Sequence, residues 1–378
     1  MAINPLWEEK YSLMKITFIL PRYDLKPVGG FRVIYEYANQ LVARGHEVTV
    51  VHARSLPNAS RYPPLLSKLY HRLIERLSRT PSLTIVSDVP WHPMDHRVKL
   101  LSVTEPTASH IPDGDVVVAA FYLTLEYVVN YPKSKGRGFY LVQGYEGWAG
   151  PIARELGAWR APVKKIVVSR GLYEHAVNLG IPEDELIHIP NGIDHAKYRL
   201  LRPIENRAPR VAMLYHPLRI KGATDGTNAL ELVQTRFPNL RAVLFGVFPR
   251  PQGLPSGIEY YCDPPQLELV GSIYNGSSIY LSTSWTEGFG LPPAEAMACG
   301  CAVVSTDSGG VRDFAEHGVT ALLSPPKHPE ALAENIMRLL EDEDLRTRLA
   351  KAGYERIQRF TWQRSTTLLE QSMADATK

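Results

Sequence analysis

Short apolar runs alternate along this chain with longer amphipathic stretches, and turn residues separate the two. Lys15–Leu20 is the first such run and reads as a buried strand. After Gly29-Gly30 the apolar positions Phe31, Ile34, Tyr35, Ala38, Leu41 and Val42 recur at helical spacing, and Gly45 is a suitable stop. Residues 47–51, 98–103, 115–119, 138–142 and 165–168 read as further strands, each followed by a loop or a helix. The longest apolar stretch, 116–131, is interrupted by Thr124, Glu126 and Asn130, which suits a strand running into a helix better than a membrane span. A polar, proline-containing stretch at 194–210 reads as a linker. Beyond it the alternation restarts with a strand at 211–215, a helix at 224–237, and strands at 241–245, 278–282 and 302–305.

Alternation of this kind implies mostly parallel sheets covered by helices on both faces, here twice. The expectation is an α/β chain of two doubly wound domains, 1–195 and 196–361, with a last helix at 362–378 packing back on the first and Trp362 as its anchor. Ligands of such sheets bind outside the carboxyl ends of the strands, so the site is expected in an interdomain cleft.

Composition narrows the classes. A chain of 378 residues can bury two cores, and 44% hydrophobic with 21% charged residues is globular. The formal charge of +3 argues against a nucleic-acid partner, which calls for a concentrated basic face. Residues 1–14 contain Trp7, Glu8, Glu9 and Lys10 without a long apolar core, so no signal peptide is expected. Cys262, Cys299 and Cys301 cannot form a disulfide framework, which points to a reduced, cytoplasmic compartment. Cys299 and Cys301 lack a partner Cys/His pair at ligand spacing and read as buried thiols.

The segment richest in chemistry is Ser284-Trp-Thr-Glu-Gly-Phe-Gly-Leu-Pro-Pro-Ala-Glu-Ala-Met-Ala-Cys-Gly300. It follows a strand and opens a helix near Pro292 or Pro293, prolines being favoured in a first helical turn. A helix N-terminus with open N–H groups is a natural phosphate site, and Gly288 and Gly290 allow close approach of the main chain. Glu287 on the loop and Glu295 in the first turn would accept hydroxyls from two parts of an extended ligand. Read blandly, Glu295 favours the helix start and Glu287 is solvated.

This segment resembles the Glu-x7-Glu signature of glycosyltransferase family 4, retaining enzymes of the GT-B fold with two facing Rossmann-like domains. Val168-Ser169, Ile189-Pro-Asn-Gly-Ile-Asp194, Ser308-Gly-Gly-Val311 through Gly318, and Thr361-Trp362 fit the same pattern, most closely from Lys165 onward. The resemblance implies transfer of a sugar from a nucleotide-diphosphate sugar, bound mainly by the C-terminal half, to a hydroxyl of a carbohydrate, lipid-linked or small-molecule acceptor. It implies neither metal nor bound cofactor. Lys221 falls on the family's lysine for the donor diphosphate; the family's arginine position holds His216, and Arg219 nearby is a candidate to replace that guanidinium. The candidate catalytic groups are therefore Glu287, Lys221 and Arg219, with Gly288, Phe289, Gly290, Leu291, Glu295, His216 and Gly30 on the donor. Gly29, Tyr122, Gln143, Glu146 and Trp148 are assigned to the acceptor side, the last three within a Gln-x-x-Glu stretch resembling rhamnosyltransferase-like relatives or else forming a packed loop.

One departure bears on mechanism. The family often carries a histidine after its fourth N-domain strand, where this chain reads Val116-Val-Val-Ala-Ala-Phe-Tyr122. A front-face reaction, in which the leaving phosphate takes the acceptor's proton, needs positioning more than a side-chain base and is compatible with that loss. Residues 65–79 are amphipathic and basic; they either rest on an anionic membrane at the cytoplasmic face or pack on their own domain. Two other functions stay open at this level: a nucleotide-sugar epimerase or hydrolase of the same fold, and a non-catalytic sugar-nucleotide-binding protein.

Overall fold

The computed structural model describes residues 12–56, 82–145, 152–205, 207–255 and 257–378. The amphipathic stretch 65–79 lies outside the described residues. The chain divides into two compact units, one comprising Met1–Val167, Ala176–Ile189 and Gln363–Lys378, the other Val168–His175 and Pro190–Trp362.

In the first unit eight strands, β1 (Lys15–Leu20), β2 (Glu47–Ala53), β3 (Leu83–Ile85), β4 (Lys99–Val103), β5 (Val116–Ala119), β6 (Arg137–Val142), β7 (Lys164–Val167) and β8 (Leu186–His188), form one sheet. Their order is β3-β4-β2-β1-β5-β6-β7-β8, and every neighbouring pair is parallel except β3–β4. All of β5 is buried, as a strand covered on both faces requires. The helix α1 (Gly29–Ala43) buries all six apolar positions of its expected face. Directly after β5 comes α2 (Tyr122–Val128), so the 116–131 stretch is a strand leading into a helix. A further helix, α3 (Ile152–Trp159), follows in this unit, whereas α4 (Arg170–Asn178) falls in the second unit as far as His175.

The second unit holds a six-stranded, wholly parallel sheet of β9 (Arg210–Leu214), β10 (Arg241–Gly246), β11 (Ile258–Cys262), β12 (Ile279–Ser282), β13 (Ala302–Thr306) and β14 (Ala321–Ser324). Its order is β11-β10-β9-β12-β13-β14. Four helices accompany it, α5 (Ala223–Arg236), α6 (Leu291–Ala298), α7 (Pro329–Glu341) and α8 (Glu343–Ile357). Val211, Met213, Leu244, Leu281 and Val304 from the strands and Leu230, Val233, Ile336 and Leu339 from the helices build its core. A last helix, α9 (Trp362–Thr377), falls in the first unit from Gln363 onward. There Glu370 receives Arg44 Nη1 at 2.6 Å and lies 3.0 Å from His46 Nε2.

Strand order fixes where ligands can bind. In the first sheet it reverses between β1 and β5, and in the second between β9 and β12. The loops leaving the carboxyl ends at such a reversal diverge and leave a crevice between them. Hence the loops after β9 and β12, residues 215–222 and 283–290, are where the second unit can hold a ligand.

Several features go beyond the sequence pattern. Strands β3, β8, β11 and β14 and helices α7 and α8 are additional elements. The stretch 194–210 is no loose linker. Arg207 in it is buried and donates to Ser277 O, Arg202 O, Asn275 Oδ1 and Cys299 O at 2.7–3.2 Å. Pro190, ahead of the expected 195/196 boundary, already belongs to the second unit, where Ile193 bonds Phe360 O at 3.0 Å and bridges to Thr361. Cys299 and Cys301 are buried free thiols, and burial raises both above the ordinary thiol pKa, Cys301 to about 12. No helix among the described residues is long and apolar enough to cross a membrane. Arg207→Ala would strand buried carbonyl acceptors, each a charge-assisted bond lost, and is expected to cost about 2–4 kcal/mol, read as a lower urea midpoint for the second unit's unfolding.

Candidate active site

Around the β9/β12 reversal the sequence places a dense set of candidate groups. The loop after β9 carries His216, Arg219 and Lys221, and the loop after β12 carries Glu287. The structure joins them. Lys221 Nζ donates to Glu287 Oε1 at 2.8 Å, and Ser284 Oγ donates to the same oxygen at 2.6 Å. Both bonds end on Oε1 and none among the described residues reaches Oε2, and the two side chains keep 29% and 15% of their surface exposed. An ion pair that open to water adds only about 0–1 kcal/mol to folding, so its consequence is positional.

The main chain beneath the pair is braced in three places. Trp285 N–H donates to Ile220 O at 2.8 Å, Thr283 Oγ1 to Lys221 O at 2.9 Å, and Glu287 N–H to Ser308 O at 3.0 Å. Close approach of these loops depends on glycine. A Cβ on Gly222, whose φ is +61°, would sit 2.1 Å from Thr283 O, and one on Gly310 would sit 2.7 Å from Glu287 O. Ser308 Oγ is buried beside this brace with no hydrogen-bond partner among the described residues.

Arg219 and His216, the two candidates for the second diphosphate contact, are treated differently by the fold. The Arg219 guanidinium lies 5.3 Å from the centre of the Trp285 ring, which also carries Lys327 at 4.5 Å and is itself held by a 2.6 Å bond from Nε1 to Asp225. Arg219 thus lies over an aromatic face at the surface. His216 accepts Leu218 N–H on Nδ1 at 3.0 Å and meets Phe248 edge-on at 5.1 Å. Its pKa is held below the ordinary imidazole value, first by burial and then by the Lys221 charge, with Glu287 opposing.

At the β12–α6 turn the helix begins at Leu291, with Gly290 as its cap at φ +89° and ψ +58°. Two expectations need correction here. Pro292 and Pro293 have no N–H and Ala294 N–H is taken by Gly290 O, so Leu291 alone in the first turn brings an N–H with no partner inside the helix. Glu295 lies one turn in, not in the first turn, and is buried with Tyr274 Oη donating to Oε2 at 3.3 Å. Phe289 and Leu291 are likewise buried, Phe289 against Phe314 and Phe360 at 5.3 and 6.1 Å, so their side chains anchor the turn and only their backbone can address a ligand. Gly288 lies against Gly310 in the loop brace.

The acceptor-side candidates sit in the first unit. Gly30, the second residue of α1, lies beside Gln143, whose amide would be 3.4 Å from a Cβ placed there, and among the described residues the buried Gln143 Oε1 has no hydrogen-bond partner. Gly29 is the first residue of α1 and is exposed. Tyr122 is corrected: at the start of α2 its ring turns inward and is buried, with Arg154 stacked 5.9 Å from it, while Phe121 stays partly exposed. Glu146 and Trp148 lie outside the described residues. Sequence reasoning passed over Ser284 as the group that orients Glu287 and Trp285 as the platform that holds Arg219. Ser284's place three residues before Glu287 was the available signal. Among the described residues no group of three or more His, Cys, Asp or Glu side chains could hold a metal ion.

Two doubly wound, parallel-rich sheets of this order are those of the GT-B fold. The solved structures agree. A sucrose-phosphate synthase from Thermosynechococcus elongatus superposes with a TM-score of 0.72 at 16% identity, covering 96% of this chain and 98% of that one. Anabaena Alr3699/HepE in complex with UDP-glucose gives 0.68 at 18% identity over 96% and 99%. Family models match in both halves, Glycosyltransferase Family 4 over residues 28–197 and Glycosyl transferases group 1 over 264–356, and the chain belongs to this glycosyltransferase family. Among curated relatives, D-inositol 3-phosphate glycosyltransferase of Corynebacterium jeikeium is 32% identical over 117 residues, 31% of this chain and 28% of that protein. The enzyme of the same name from Corynebacterium aurimucosum is 36% identical over 113 residues, 30% and 26% respectively. The matched stretch thus spans between a quarter and a third of these relatives' length.

Gly290→Ala would force a side chain into a left-handed conformation at about 1–2 kcal/mol. The expected reading is a Tm lowered by roughly 2–8 °C in calorimetry.

Proposed function

We propose that this protein is a retaining glycosyltransferase that moves a sugar from a nucleotide-diphosphate sugar to a hydroxyl of a carbohydrate, lipid-linked or small-molecule acceptor. The observation that carries the reading is the 2.8 Å contact between Lys221 and Glu287, made by the two loops that diverge at the β9/β12 switch point. Lys221 is the cation for the leaving diphosphate, where negative charge grows in the transition state. Its partnership with Glu287 holds the ammonium in place before the ligand arrives, so little reorganisation is needed during reaction. Glu287 Oε2 is the acceptor for a donor-sugar hydroxyl. The Leu291 N–H and the adjoining glycine-rich backbone supply neutral donors at the positive end of α6.

On the acceptor side, Gln143 Oε1 is a buried acceptor that receives no hydrogen bond among the described residues and that a sugar or polyol hydroxyl would satisfy. Gly30 beside it leaves room for that hydroxyl. The reaction is front-face: the departing phosphate oxygen takes the proton of the incoming hydroxyl on the side from which it leaves. It proceeds without a divalent cation, Lys221 balancing the charge, and belongs to a reduced cytoplasmic compartment.

Incubation with radiolabelled UDP-, GDP- and ADP-sugars and a panel of hydroxyl acceptors separates the readings. Transfer with retained anomeric configuration, undiminished by EDTA, is expected. Epimer or free sugar without transfer would identify an epimerase or hydrolase, and thermal stabilisation by a donor with no turnover would identify a binding protein. Lys221→Ala and Glu287→Ala are each expected to lower kcat about a hundredfold or more while moving Tm by less than about 2 °C. Parallel loss of fold and activity would show both residues to be structural.

A further inference from the structure

Arg219 is stacked on Trp285, and His216 stands on the same loop as Lys221 with a ring nitrogen to spare. Leu218 N–H points at Nδ1 from two residues along, at 3.0 Å. That bond requires a lone pair on Nδ1, which in a neutral ring puts the proton on Nε2. Among the described residues no group accepts from Nε2, and the ring is only half-buried. The charged groups around it are Lys221 on its own loop and Glu287 from the loop after β12, while the loop after β10 presents the uncharged Phe248.

We infer that His216 serves the departing diphosphate as a neutral hydrogen-bond donor through Nε2–H, locked in that tautomer by Leu218 N–H. The inference rests on the nucleotide-sugar reading above and assigns the contact beside Lys221 to His216 rather than to Arg219. Protonating the ring would place a hydrogen on Nδ1 and push Leu218 N–H off its acceptor. Burial and the Lys221 ammonium oppose the same step, which is why the imidazole is held below its usual titration range. The device supplies a directed donor without a second fixed positive charge, so Lys221 and Glu287 remain a balanced pair until the ligand enters.

The turn and the donor can be separated by substitution. In His216→Asn the side-chain oxygen accepts Leu218 N–H two residues on, as asparagine does in turns, but the Nε2–H is gone. Titration calorimetry with the tightest binder among UDP-, GDP- and ADP-glucose, in two buffers of different ionisation enthalpy, reads affinity and proton uptake together. Both phosphates of these probes stay ionised between about pH 6.5 and 8.5. The wild type is expected to take up no proton and to bind with constant affinity across that range. His216→Asn is expected to bind, or to turn over, about ten- to a hundredfold more weakly with Tm unchanged. Wild-type behaviour in His216→Asn would make the histidine a turn residue only and overturn the inference. Proton uptake on binding, with affinity climbing as pH falls, would overturn it in favour of an imidazolium, since only a pKa raised by the bound anion gives that sign. Lys221→Ala keeps the two levels distinct: lost binding there with none lost in His216→Asn removes this inference alone, whereas no binding of any probe by the wild type removes the nucleotide-sugar reading with it.

Discussion

The ion pair between Lys221 and Glu287 ties together two loops that the sheet topology drives apart. In a doubly wound sheet the connections from neighbouring strands at the switch point run to opposite faces, and the crevice they leave has no backbone bridge of its own. Here the loops are stitched by Trp285 N–H to Ile220 O and Thr283 Oγ1 to Lys221 O below, and by Lys221 Nζ to Glu287 Oε1 above. Every other feature of the site is arranged around that junction. Ser284 turns the carboxylate, Ser308 O holds the Glu287 amide, and Gly222 and Gly310 let backbone meet backbone where a Cβ would collide.

Little of this arrangement stabilises the fold. The pair is too exposed to contribute much, and the core of the second unit is made elsewhere, by the apolar strands and α5 and α7. What the surrounding rigidity supplies is position. Phe289 and Leu291 bury their side chains so that the backbone between Glu287 and α6 is held, and Glu295 is withdrawn against Tyr274. Residues that read as ligand contacts in the motif are therefore divided: some present groups, and others fix the main chain that presents them.

The same division explains the two basic candidates. Arg219 has a long, planar, weakly hydrated head that stacks on Trp285, whose own N–H is tied to Asp225. His216 is short and close to the strand end, with one nitrogen used by the turn. The sequence places both beside Lys221 without deciding between them, and the structure lays Arg219 over Trp285.

Strand and helix positions with a strong period were legible in the sequence. Every residue of β5 is apolar, α1 repeats its apolar face over three turns, and both recur in the structure within a residue or two. Elements such as β3 and β8 were not, because three residues with mixed exposure at a sheet edge carry no period to detect. Glu287 and Lys221 were legible as candidates because their motifs are local. That Arg207 in an apparent linker would be buried against Ser277 O and Cys299 O, that Tyr122 would face inward, and that Glu287 and Lys221 would meet at a separation of 66 positions were decided only by tertiary packing. A sequence records what each residue can do within a few neighbours, whereas which distant groups share an oxygen depends on strand order, which the whole chain settles at once.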